Sequence, residues 1–149
     1  MSQAYHDMNK IATADRGQIN FTTTEEMYNV IVGMTKKLMA DIPFKDVIAT
    51  GTCLQNLRTS DLNNGMCLTR DGYHMDYGIS RYAAACMVFE KLISPSFDNV
   101  KLDKNTYRYG NSSTTSGSYS TPVTDANAPV ALQAARYALQ TPYQVTSMK

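Results

Sequence analysis

Neither sign of charge is in excess in this chain: 14 Lys and Arg stand against 13 Asp and Glu, a net charge of +1. Such a balance makes no field to draw in nucleic acid or an anionic membrane surface, so neither is expected as a partner. Long apolar runs are missing too. The longest, Tyr82 to Phe89, is far short of the roughly 20 residues a membrane-spanning helix needs. No basic segment followed by an apolar core stands at the N-terminus, so no secretion signal is legible. Cysteine is sparse. Cys53, Cys67 and Cys86 form an odd set without metal-ligand spacing. Free thiols are the simpler expectation, and Cys86 reads as a small buried apolar residue on a helix face. A Cys53–Cys67 bridge stays open for a parent protein that is exported. There is no internal repeat.

What is present fits one domain by length, 149 residues with 43% apolar, an ordinary globular share. Residues 1–22 read as a polar, irregular lead-in. Thr22-Thr23-Thr24-Glu25-Glu26 then offers two overlapping capping boxes, Thr22 with Glu25 or Thr23 with Glu26. Behind them Met27, Val30, Ile31, Met34 and Leu38 form the stripe of an amphipathic helix to about residue 40, ended by Pro43. The β-branched run Asp46–Gly51 reads as a strand, which makes half of an α/β unit. Residues 52–70 carry too little periodicity to assign. A long helix is expected over 78–93, capped by Asp76 and stopped by Pro95. Ile79, Tyr82, Ala83, Cys86, Phe89 and Ile93 make one stripe of it, and its opposite side is apolar as well, so most of its faces should be buried. Residues 95–122 are a Ser/Thr/Tyr-rich surface excursion. A last helix is expected over 126–140, with Asp125 or Asn127 as cap and Pro129 in its first turn. One strand cannot form a sheet. Either strands go unrecognised near 1–12 or in 97–122, or the chain is part of a larger α/β domain.

The most informative stretch is Asp71-Gly72-Tyr73-His74. It places a carboxylate and an imidazole three residues apart, on a turn ahead of the apolar helix. The Asp can accept the Nδ1–H of the His and leave Nε2 as a base, two-thirds of an acyl-transfer triad. The third member, a nucleophilic Ser, has no convincing candidate. Gly110-Asn111-Ser112 copies a nucleophile signature superficially, but it follows a Tyr-Arg-Tyr segment and not the buried strand that a nucleophile elbow requires. The plain alternative is that Asp71 caps a turn and His74 is a surface residue.

Asp71-x-x-His74 followed by Gly78 and an apolar helix resembles the last block of the SGNH (GDSL-type) hydrolases. The wider runs 48–60, 68–74 and 78–84 are similar to the C-terminal half of a bacterial SGNH-like family, and the helix around Met27 and the tail from Pro122 to Thr146 fit the same pattern. The resemblance implies a three-layer α/β/α sandwich of SGNH, flavodoxin-like type. Residues 1–149 would be a single partial domain supplying its C-terminal part, with the nucleophile segment absent. It implies His74 as general base toward the Ser and then acid toward the leaving alkoxide, with Asp71 fixing its tautomer.

The substrate implied is a small ester or an acylated carbohydrate, with no cofactor and no metal. Asp71, His74 and Asp76 as metal ligands is the weaker reading, for want of further ligands. Asn56 and Arg58, in the polar stretch after the expected strand, are candidate substrate-binding residues, although Arg58 could equally pair with Asp61 or Asp71. Without its nucleophile segment such a chain should be nearly inert. The rival reading is a non-catalytic glycan- or protein-binding module that uses Tyr107, Tyr109 and Tyr119 of the excursion.

Overall fold

The structure, a computed structural model, describes residues 23–63, 68–71, 74–94 and 121–149. The first helix, α1, spans Thr24–Asp41. Of the two overlapping caps the second forms. Thr23 is extended (φ −138°, ψ 157°) and its Oγ1 accepts the Glu26 amide at 3.1 Å. That bond satisfies one of the orphan donors of the first turn and is worth about 1 kcal/mol. The apolar stripe behind it is buried only at its start. Met27 and its neighbour Tyr28 are inside, whereas Val30, Met34 and Leu38 stand 44%, 64% and 48% exposed.

The run Asp46–Gly51, expected as a strand, is not one. Residues 43–49 are irregular, and Thr50 opens a second helix, α2, Thr50–Arg58. A strand must find a neighbour for its N–H and C=O groups, whereas a helix satisfies them within itself. Ala49, Cys53 and Leu57 also recur every fourth residue, and all three are buried. The expected three-layer α/β/α sandwich is corrected on the same ground. Among the described residues there is no sheet, only one isolated antiparallel bridge, Thr69 with Met75.

Helix α3, Ile79–Val88, runs into a π-helical turn, Phe89–Ile93. It buries Ile79, Ser80, Ala83, Cys86 and Met87 but leaves Val88, Leu92 and Ile93 at the surface. The expectation that most of its faces are buried therefore fails on the far side. The fourth helix, α4, Ala128–Gln140, carries Pro in its first turn as expected. Asn127 ahead of it exchanges bonds with Thr124, accepting the Thr124 amide at 2.8 Å and giving its own amide to Thr124 Oγ1 at 3.2 Å.

The core lies between α2, α3 and α4. Cys53 and Leu57 from α2, and Ile79, Ala83, Cys86 and Met87 from α3, close on Ala131, Ala134, Ala135 and Ala138 of α4. Leu68 and Val123 fill its end. Glu90 of the π-helical turn is tied to Arg136 of α4 at 3.0 Å. At the entry to α3 the chain passes Thr121 so closely that a Cβ on Gly78 would lie 1.9 Å from the Thr121 carbonyl oxygen, which accepts the Ile79 amide at 2.9 Å. Gly78→Ala should therefore destabilise by about 1–3 kcal/mol or more through overpacking, read as a lowered urea midpoint with unchanged m-value.

Candidate functional site

Between α2 and α3, residues 68–70 pair with 74–76 as the two arms of a short hairpin. The Arg70 amide donates to the His74 carbonyl and the Asp76 amide to the Leu68 carbonyl, each at 3.0 Å. Leu68 sits at φ 59°, in the left-handed region that L side chains avoid. Its carbonyl oxygen also accepts the Ser80 hydroxyl at 2.6 Å, so two bonds on one oxygen hold that conformation.

Within this hairpin Asp71 and His74 meet. Asp71 Oδ1 accepts the His74 amide at 2.8 Å, and Oδ2 lies 2.7 Å from His74 Nδ1. An ionised carboxylate only accepts, so Nδ1 carries the proton and the neutral ring's basic lone pair is on Nε2. One side chain thus closes the turn and sets the tautomer. The His74 side chain is 63% exposed and that of Asp71 35%. The imidazole therefore stands at the surface. Arg70 flanks the pair, its Nε 3.6 Å from Asp71 Oδ2. Its guanidinium lies 4.4 Å from the centre of the Tyr77 ring, and that of Arg81 lies 4.5 Å from the same ring.

Asp76 does not join the pair. It is 1% exposed, and its Oδ1 accepts the amides of Gly78 at 2.9 Å and Ser80 at 3.1 Å, at the N-terminus of α3. The N-cap position itself is Gly78 and not Asp76 as the sequence suggested; Asp76 stands two residues ahead of it and reaches the first turn with its carboxylate. Burial raises its carboxyl above the ordinary 3.8, opposed by the hydrogen bonds from Ser80, Gly78 and Thr121. No group of three potential metal ligands converges among the described residues.

The two candidate binding residues part company. Asn56 is fully buried and structural. Its Nδ2 donates to the Ala134 carbonyl at 3.2 Å, and its Oδ1 accepts the Thr146 amide at 2.8 Å, tying α2 to α4 and to the C-terminal tail. Arg58 lines a cleft of about 560 Å³ with Thr24, Glu25, Tyr28, Asn29, Gln55, Thr59, Tyr143, Gln144 and Val145. Neither Asp71 nor His74 is in that wall. Tyr28, Gln55 and Tyr143 carry no motif spacing, so sequence reading missed them. Only their shared cleft brings them together.

Cys53 and Cys86 are free, buried thiols, pushed up to about 12 and about 11 by burial. Cys67, Ser112, and Tyr107, Tyr109 and Tyr119 of the excursion lie outside the described residues.

A short helical unit whose hairpin presents a carboxylate-oriented imidazole is what the described residues define. The sequence pattern of the family described as "Domain of unknown function (DUF4886)" matches residues 5–124, and the chain belongs to that family. It is similar to the crystal structure of a DUF4886 family protein from Bacteroides uniformis ATCC 8492, with 28% sequence identity and a TM-score of 0.68. The match covers 99% of this chain and 48% of the other, so the chain spans about half the length of that relative. No curated protein matches.

Two variants test the roles assigned to buried polar groups. Asn56→Ala leaves the Thr146 amide without its acceptor, while the Ala134 carbonyl keeps its bond within α4. It should cost roughly 1–3 kcal/mol, measured by urea denaturation. For Asp76 the folded pKa lies above the unfolded one, so its contribution is greatest below 3.8 and is lost as pH rises through the raised value. The stability difference between Asp76→Asn and wild type should accordingly move in the variant's favour as pH climbs from 3.8 toward neutrality, followed by urea midpoints across that range.

Proposed function

We propose that this chain carries the acid–base part of a serine ester hydrolase of SGNH (GDSL) type, whose nucleophile belongs to a segment outside it. The substrate class is an acyl ester of a carbohydrate or of another small alcohol. The observation that supports the reading is the 2.7 Å contact between Asp71 Oδ2 and His74 Nδ1, on a turn that the same carboxylate closes. The resemblance of residues 48–60, 68–74 and 78–84 to the C-terminal block of that superfamily adds to it.

The chemistry follows from the tautomer. His74 Nε2 takes the proton of the serine hydroxyl as its oxygen attacks the ester carbonyl carbon. Asp71 stabilises the imidazolium that forms, without itself taking the proton. The imidazolium then gives that proton to the leaving alkoxide as the C–O bond breaks. In the second half Nε2 takes a proton from water as its oxygen attacks the acyl carbon, and the imidazolium returns that proton to the serine oxygen as the acid is released. Arg70 places a positive charge 3.6 Å from the Asp71 carboxylate, beside the pair.

Loss of the nucleophile alone removes on the order of 10⁶ in rate from a serine hydrolase. The chain by itself should therefore leave 4-nitrophenyl acetate essentially unhydrolysed. Mixed with an upstream segment carrying the Gly-Asn-Ser element, it should show turnover that falls by roughly 10⁶ on His74→Ala and by about 10⁴ on Asp71→Asn. Turnover that survives His74→Ala ends this reading.

A further inference from the structure

The cleft between α1, α2 and the C-terminal tail is separate from the Asp71–His74 hairpin and has its own polar logic. Thr52 Oγ1 donates its one proton to the Pro142 carbonyl at 2.6 Å and lies 3.0 Å from Tyr28 Oη. The Thr52 proton being spent, Tyr28 must be the donor in that contact, so its oxygen can meet a further partner only as an acceptor. Gln55 stands three residues from Thr52, on the same side of α2. It is more than nine-tenths buried, and its Nε2 has no hydrogen-bond partner. No hydrogen bond holds this amide, so rotation about its side-chain torsions brings its N–H groups to a ligand at no cost in bonding.

A wall that supplies acceptors from a phenol and donors from an amide is matched by a group that is both, and a hydroxyl is that group. Asn29 and Gln144 add further neutral amides. The charged side chains of the lining, Glu25 and Arg58, are of opposite sign and leave no net charge to select an ion. Tyr143 supplies an aromatic wall and is held on both sides. Pro142 before it is bonded to Thr52, and Thr146 beyond it to Asn56. The cleft's volume of about 560 Å³ falls within the range of roughly 300–1,000 Å³ usual for small-ligand sites. A neighbouring hollow of about 410 Å³ shares Tyr143 and Gln144 and leaves room for a second ring, with Lys36, its Nζ 5.4 Å from the centre of the Tyr143 ring, as the one charged residue there.

We propose that this cleft binds a neutral sugar, one or two rings long, through Gln55 and Tyr28 with Tyr143 as its aromatic wall. The site does not depend on the hydrolase reading, since neither Asp71 nor His74 lines it. Nuclear magnetic resonance of the ¹⁵N-labelled chain tests it. The probes are methyl β-D-glucopyranoside, N-acetyl-D-glucosamine and cellobiose, with D-glucuronate and D-glucosamine as charged controls.

At least one neutral sugar should shift the side-chain amide signals of Gln55, Asn29 and Gln144 saturably. Tyr143→Ala should weaken that binding by about tenfold, and Gln55→Met should weaken it as well. If Gln55→Met does not fold, as judged by circular dichroism, the half-buried Tyr143 decides alone. No shift with any of the three neutral sugars overturns the proposal. So does binding by the charged sugars alone, or binding undiminished in Tyr143→Ala.

Discussion

The alanine face of α4 sets the spacing on which everything else in this chain rests. Ala131, Ala134, Ala135 and Ala138 are all at zero exposure, and α2 and α3 both lie against them. A residue with no side chain beyond Cβ lets a neighbouring helix backbone come close, and it loses no rotamer freedom in doing so. Closeness of that order is what allows Asn56 of α2 to reach the Ala134 carbonyl of α4. Larger residues there would hold the helices apart and leave the Asn56 Nδ2 buried without its partner. The apolar and polar halves of the core are therefore one constraint. Small side chains set the distance, and a single amide uses it.

From that junction the positions of the hairpin and the cleft follow in opposite directions. On one side α3 is anchored by Asp76, and the Leu68 carbonyl is fastened to Ser80, which holds both ends of the turn that carries Asp71 and His74. On the other, Thr52 and Asn56 pin the tail at Pro142 and Thr146 and so place Tyr143 beside α1. Both regions are polar loops mounted on a rigid three-helix support, a common way for a small domain to present chemistry. Several large apolar side chains stay at the surface, among them Met34, Phe44 and Leu92, each more than half exposed.

The helices were legible where their signals are local. The cap at Thr23, the stripe through Ile79, Ala83 and Cys86, and Pro129 with Ala131 behind it each depend on residues within a turn or two of one another. The meeting of Asp71 with His74 was legible for the same reason, since three residues on a tight turn leave few other arrangements. Asp46–Gly51 misled because β-branched residues favour a strand only where a pleated neighbour exists to receive them. Asn56 misled in another way. A polar residue in an unassigned stretch looks like a ligand contact, yet its two partners lie 78 and 90 residues away and cannot be inferred from spacing.

By itself, then, the sequence determined the starts of α1, α3 and α4, the turn geometry of the Asp71–His74 pair and the lack of an apolar run long enough for a membrane-spanning helix. Each of these is decided by hydrogen bonds or apolar periodicity over fewer than about 20 residues. Tertiary structure alone decided which stripes are covered, why Met27 is buried while Met34 on the same helix face is not, and why 50–58 coils into a helix. It also decided that Gln55, Tyr28 and Tyr143 share one cleft. Burial is a property of two surfaces at once, and the second surface in each case comes from a part of the chain too distant for any local pattern to announce.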